Sequence, residues 1–220
     1  MPDIQPLTLV WRVKVSQQNG YYTTFFHGRT DGSFLGDMTY FGCHPYPKTP
    51  PSGSTHWWEI SCNGNDYYTD ANSNDTTVSY DTWMLQAAVC WNSGGDAHIN
   101  FYWNLAAGAS RVIQFTGVGS SFTNNANSPA LVFGDAPWSV SNERMNGSLG
   151  QVKVFSTNLS ESDIVSEAGD MNTIVTSAGA AARWWFKPGF SSVDDLTDSV
   201  TGKSGAWVNS SYKATLGEAL

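Results

Sequence analysis

The chain has 220 residues, of which 40% are hydrophobic, 14% aromatic and only 14% charged, with 10 Trp. That length and apolar content suit one sizeable domain, and such sparse charge leaves Ser, Thr, Asn and Gly to face solvent. A formal net charge of -8, with no cluster of Lys or Arg, makes nucleic acid and anionic membranes unsuitable partners on electrostatic grounds.

The opening Met1-Pro2-Asp3-Ile4-Gln5-Pro6 has neither a basic stretch nor an apolar one, so no signal peptide is expected. Strand alternation begins at once: Leu7, Leu9, Trp11, Val13 and Val15 interleave with Thr8, Arg12 and Lys14. A strand is predicted over Tyr21–Phe26. From Gly36 to Ser54, Pro45, Pro47, Pro50 and Pro51 with Tyr40, Phe41 and Tyr46 predict a stiff, ordered loop rather than a strand. Shorter strands are expected at His56–Cys62 and Asp66–Tyr68. Trp83, Leu85, Ala87, Val89 and Trp91 alternate, with Gln86 on the opposite face, and Ile99, Phe101, Trp103 and Leu105 do the same. Asn92-Ser93-Gly94-Gly95-Asp96 between these runs carries the glycines of a hairpin turn. Further strands are predicted at Arg111–Phe115, Ala130–Phe133 and Leu149–Phe155, with a polar, Asn-rich loop over Ser120 to Pro129.

The last of these strands runs into a helix start. Ser160 is placed as N-cap and Asp163 as the acidic third residue, while Leu159 and Ile164 stand at hydrophobic-staple spacing. About ten strands with turn chemistry between them predict an antiparallel sandwich. Cys43, Cys62 and Cys90 are odd in number and irregular in spacing, which reads most simply as three reduced, mostly buried thiols, a single bridge being the alternative.

Four stretches carry a family resemblance: Leu7-Thr8-Leu9-Val10-Trp11-Arg12-Val13, the Trp83 to Trp91 run, His98-Ile99-Asn100-Phe101-Tyr102-Trp103-Asn104-Leu105, and Asn146 through Ile164. In their order and spacing they resemble a laminin-G-like (concanavalin-A-like) jelly roll of the lectin and glucanase superfamily. The resemblance departs at Asn104-Leu105, where relatives turn on an acidic-glycine pair, and at Gly150, where they often carry Asp. It implies an all-β fold with one or two short helices in the C-terminal third. A single domain over 1–220 follows, with sandwich strands in 1–158 and a helix and connector in 159–178. The tail, with Ala182-Arg183-Trp184-Trp185-Phe186, resembles the segment that usually opens such domains. It is therefore expected to return over 179–220 as a strand beside the last one, in the same chain or in a neighbouring copy.

Chemistry is thinly represented. Glycan-cleaving enzymes of this fold need two carboxylates in one cleft, and Glu59 is the only acidic residue in His56–Cys62. No Gly-x-Ser-x-Gly elbow occurs, and His27, His44, His56 and His98 stand singly. No catalytic residue is assigned. Cys43, His44, His56 and Cys62 match no zinc spacing. Asp70, Asn72, Asn74 and Asp81 imitate a calcium loop without its glycine, against the commoner reading of a solvated Asx-rich turn. No metal site or cofactor is therefore assigned, calcium being the one candidate.

Tyr40, Tyr46, Trp57, Tyr67 and Tyr68 are the candidate ligand-binding residues, since an aromatic plane packs on the apolar face of a sugar. The alternative is that these aromatics anchor a loop or fill a subunit interface. A non-catalytic structural protein of a phage virion, a capsid-decoration or tail-associated protein made in the host cytoplasm, is the first expectation. Its partners would be other virion proteins or further copies of itself. A lectin-like glycan-binding module is second and a glycan-cleaving enzyme third.

Overall fold

A computed structural model of the chain describes residues 6–16, 25–28, 41–47, 56–62, 65–68, 79–102, 104–105, 112–120, 130–133 and 145–171. At 25–28, 41–47, 56–62, 65–68, 97, 112–120 and 130–133 the description is of the backbone. In chain order the elements are β1 (Leu7–Val15), β2 (Phe25–Gly28), β3 (Phe41–Pro47), β4 (His56–Cys62), β5 (Asn65–Tyr68), β6 (Met84–Ser93), β7 (Asp96–Tyr102), β8 (Val112–Ser120), β9 (Ala130–Phe133), β10 (Gly147–Phe155) and α1 (Glu161–Gly169). They form two five-stranded antiparallel sheets, ordered β10-β1-β6-β7-β8 and β5-β4-β3-β2-β9. The protein is an antiparallel β-sandwich of the jelly-roll type.

The alternation in β1 is realised as read. Leu7, Leu9, Trp11, Val13 and Val15 are all buried. Register puts Trp11 across from Val152 on one side and Gln86 on the other, and Ala88 across from Phe101. The Trp11 and Phe101 rings lie 6.2 Å apart at a tilt of 36°, an ordinary aromatic packing distance. The other face of the same strands is also covered. Val10, Ala87, Val89, Tyr102 and Phe155 form a second cluster with Leu159 before α1, Ile164 and Ala168 on it and Met171 after it.

That second layer corrects the reading of β6. Gln86 is fully buried on the face it shares with Trp11, while Ala87 and Val89 pack under the helix. Alternation finds a strand with one wet face; a strand roofed by a helix is apolar on both, and periodicity cannot rank the two. The Ile99–Leu105 run is corrected likewise. The strand ends at Tyr102, and Leu105 leaves it to join the helix-side cluster, its N–H donating to the Leu85 carbonyl at 2.8 Å.

The predicted hairpin turn is present. Gly94 and Gly95 close the β6–β7 hairpin with φ of +64° and +92°, the left-handed pair a type I′ turn demands. Gly147 has φ +152°, and a Cβ there would collide with the Lys14 carbonyl and come within 2.9 Å of Val15 Cα. At α1, the Asp163 N–H donates to Ser160 Oγ at 3.2 Å, and that hydroxyl donates to Asp163 Oδ2 at 2.7 Å. Leu159 and Ile164 are buried in one cluster, so the staple is made. Ser160→Ala is expected to lower stability by about 1 kcal/mol, read as a shifted denaturant midpoint at constant slope; an unmoved midpoint would mean water caps the helix equally well.

One segment is overturned. The proline-rich stretch read as a loop contains β3, which pairs with β4 from Phe41 to Pro47. Pro45 and Pro47 are two positions apart, so their missing N–H groups fall on one edge of the strand. Described pairing to β2 stops at Cys43, leaving that part of β3 with β4 as its described neighbour. The strand predicted over Tyr21–Phe26 lies at Phe25–Gly28 within the described residues. Residues 172–220, with the expected returning strand, and the 121–129 loop lie outside the described residues.

Candidate functional site

Antiparallel register decides which residues share a face, because directly paired positions stand side by side and neighbours along a strand alternate. In the second sheet Tyr46 pairs with Trp57, and His44 pairs with Glu59, which pairs in turn with Tyr68. Ser61 pairs with Asp66. These positions belong to one face: an aromatic group of Tyr46, Trp57 and Tyr68 adjoining a polar group of His44, Glu59, Ser61 and Asp66. Trp57 is diagonal to Tyr68, and Glu59 is diagonal to Asp66, a relation that spans about 7–8 Å between strands.

The opposite face carries Phe25, Phe41, Cys43, Trp58, Ile60 and Tyr67 by the same parity. By residue type it is the more apolar of the two, although His27, His56 and Asn65 share its parity and Phe26 and Val132 share that of the first. Of the five candidate binding residues, register therefore groups Tyr46, Trp57 and Tyr68, and assigns Tyr67 to the other face. Tyr40 lies outside the described residues. Tyr67 and Tyr68 are consecutive in a strand, so their separation was a signal already available in the sequence. The Glu59–Asp66 diagonal was not: it arises between strands, where a search for acidic residues along one strand does not look.

A second polar arrangement lies under α1. Lys153 on β10 and Glu167 on the helix are both wholly buried, with Nζ 2.7 Å from Glu167 Oε2. Nζ also donates to the Glu167 carbonyl at 2.7 Å and to the Asp170 carbonyl. The helix has no basic residue in its last turn, so this strand lysine supplies the cation at the negative helix end and satisfies its orphan carbonyls. Burial holds the Lys153 ammonium below the usual lysine value of 10.5, against the opposing pull of Glu167 and Asp170. Burial, and secondarily Glu161, pushes the Tyr102 phenol up. Thr8 completes the attachment: its hydroxyl donates to the Thr157 carbonyl at 2.6 Å and accepts from the Leu159 N–H at 3.1 Å.

Of the calcium candidates, only Asp81 is described. It occupies a turn at φ +54°, its N–H donates to the Val15 carbonyl at 2.8 Å, and its Oδ1 accepts from the Ser16 hydroxyl at 2.6 Å. These bonds give Asp81 a structural task at the end of β1; Asp70, Asn72 and Asn74 lie outside the described residues. The Arg12 guanidinium and Lys14 ammonium sit 4.9 and 5.4 Å from the Trp83 ring centre, so these two cations flank an indole.

No family model and no curated protein matches the sequence. Among solved structures, the chain is similar to full-length tailspike protein 2 of an Escherichia coli O157:H7 bacteriophage, at 14% identity and TM-score 0.56. The alignment covers 82% of this chain and 24% of the tailspike, so the chain spans about a quarter of that protein's length. The enzymatically active domain of tailspike protein 2 from bacteriophage CBA120 gives 14% identity and TM-score 0.52, covering 82% of this chain and 26% of that one. A native heptameric SAP-like pentraxin from Limulus polyphemus gives 18% identity and TM-score 0.50, covering 74% of this chain and 70% of that one. At such identities the likeness is one of fold. Among the described residues no helix is long and apolar enough to cross a membrane.

Proposed function

We propose that this chain is a non-catalytic structural and binding protein of a phage virion surface, capsid-decorating or tail-associated, built on a laminin-G-like jelly roll. One observation carries the reading: a phage tailspike shares the fold over 82% of this chain. The sequence supports it through sparse charge, which leaves a polar, largely uncharged surface suited to a virion β-protein. Its partners would be other virion proteins or further copies of itself. The test is co-sedimentation of the chain with particles, alongside mass photometry of the purified protein. Oligomers and particle-bound protein are expected; a strict monomer that stays in the supernatant would sink the proposal.

The second reading, a lectin-like glycan-binding module, is favoured by one specific observation: Tyr46, Trp57 and Tyr68 share a face of the second sheet. A particle carrying many copies would turn weak sugar contacts into useful avidity, so the two readings are compatible. A monomer that retains glycan-array binding would favour the lectin over the assembly protein. Glycan cleavage ranks third, and reducing-end release from polysaccharides would promote it.

A further inference from the structure

We infer that the polar face of the second sheet is one binding surface for uncharged pyranosides, with Trp57 as its stacking platform and Glu59 as its principal hydroxyl acceptor. The inference rests on the glycan-binding reading and adds the site's composition and the class of sugar it takes. It follows from a juxtaposition that only strand pairing creates. Tyr46 stands directly across from Trp57, and Tyr68 stands diagonal to it, so three aromatic positions are contiguous over three strands. The next row along the same face is His44–Glu59–Tyr68, and beyond it Asp66 lies diagonal to Glu59.

A pyranose has an apolar face and a rim of hydroxyls. It is recognised where an aromatic plane and hydrogen-bonding groups occur about one ring-width apart. Adjacent rows on one sheet face have that separation, since alternate residues along a strand are about 6.5–7 Å apart. Carboxylates accept from hydroxyls through charge-assisted bonds, which are stronger than neutral ones. The same carboxylates decide the class. Glu59 and Asp66 on a chain of net charge -8 repel sialylated, sulfated or uronic sugars, and His44 is the face's one candidate counter-charge within these rows. A neutral glycan meets no such repulsion.

The full chain would be applied to an array of neutral and sialylated oligosaccharides, and the strongest neutral oligosaccharide titrated by calorimetry against four proteins. Wild type is expected to bind neutral glycans alone. Trp57→Ala and the near-isosteric Glu59→Gln should each weaken binding about tenfold or more, and Tyr67→Phe, on the opposite face, should not. Thermal melting of Glu59→Gln within a degree or two of wild type shows that the fold is intact, so this variant carries the test even where Trp57→Ala fails to fold. A preference for sialylated glycans, or indifference to Glu59→Gln, would overturn the inference and leave the glycan-binding reading standing. Hydrolysis of the titrated oligosaccharide would also overturn it, making Glu59 and Asp66 an acid–base couple instead. Binding to no glycan at all would remove the glycan-binding reading itself.

Discussion

Lys153→Met is expected to lower the free energy of unfolding by about 3–5 kcal/mol, measured by denaturant titration. The physical reason is the Glu167 carboxylate. It is wholly buried beside Nζ at 2.7 Å, and removing the cation leaves a charge under the helix without its ion-pair partner. The carbonyls of Glu167 and Asp170 lose a donor in the same step. A second substitution separates these effects. Lys153→Met with Glu167→Leu removes both charges and fills the space with apolar volume, so most of the loss should be recovered, the remainder belonging to the helix-end carbonyls. A single variant costing under about 1 kcal/mol would show that water reaches the pair and solvates it.

The pH dependence has a definite sign. The folded-state value of Lys153 is depressed below the usual 10.5 by burial. Between that depressed value and 10.5 the unfolded chain therefore binds more protons at this site than the folded one, and stability contributed here increases as pH rises. The stability gap between wild type and Lys153→Met should widen toward pH 10.5 and narrow toward neutrality. A gap that shrinks as pH rises through that window would mean that Glu167 and the carbonyls outweigh desolvation.

Local signals in the sequence were legible because each is carried by residues within a few positions of one another. The Leu7–Val15 alternation, the Gly94-Gly95 hairpin and the Leu159-Ser160-Asp163-Ile164 helix entry all appear where their chemistry requires. What could not be read depends on partners distant in sequence. Lys153 looks like a solvent-facing member of an alternating strand until α1 is laid over it, and Gln86 looks solvated until both faces of β6 are covered. Prolines at 45 and 47 argue for a loop, yet a strand tolerates them where their missing donors fall on one edge. The proposed binding face is the extreme case. Its aromatic and acidic residues come from β3, β4 and β5, and the register that gathers them is set by strand pairing.

Deleting the residues after Asn172 is expected to remove most of the stability of the chain. The argument begins at β10. Among the described residues this strand is the outer member of its sheet, paired on one side with β1. Yet Gln151, Val152, Lys153, Val154 and Phe155 are all buried, so the C-terminal half of this outer strand is an edge withdrawn from solvent. An edge of that kind templates association unless something pairs with it. The sequence offers an occupant in Trp184-Trp185-Phe186, an apolar run that needs both a ladder partner and a core face. Each such side chain contributes about 1.5–3 kcal/mol when buried, and three together are comparable to the about 5–15 kcal/mol that separates folded from unfolded in an ordinary domain. The truncated chain should therefore melt far below the full one and aggregate, and alanines at Trp184, Trp185 and Phe186 in the full chain should reproduce much of the effect. Melting and self-association unchanged by truncation would show that β10 is covered by other means. A full-length protein that dimerises, with the triple-alanine variant monomeric, would place the strand in a neighbouring copy, which is the arrangement that would tie the edge of one sandwich to the assembly of many.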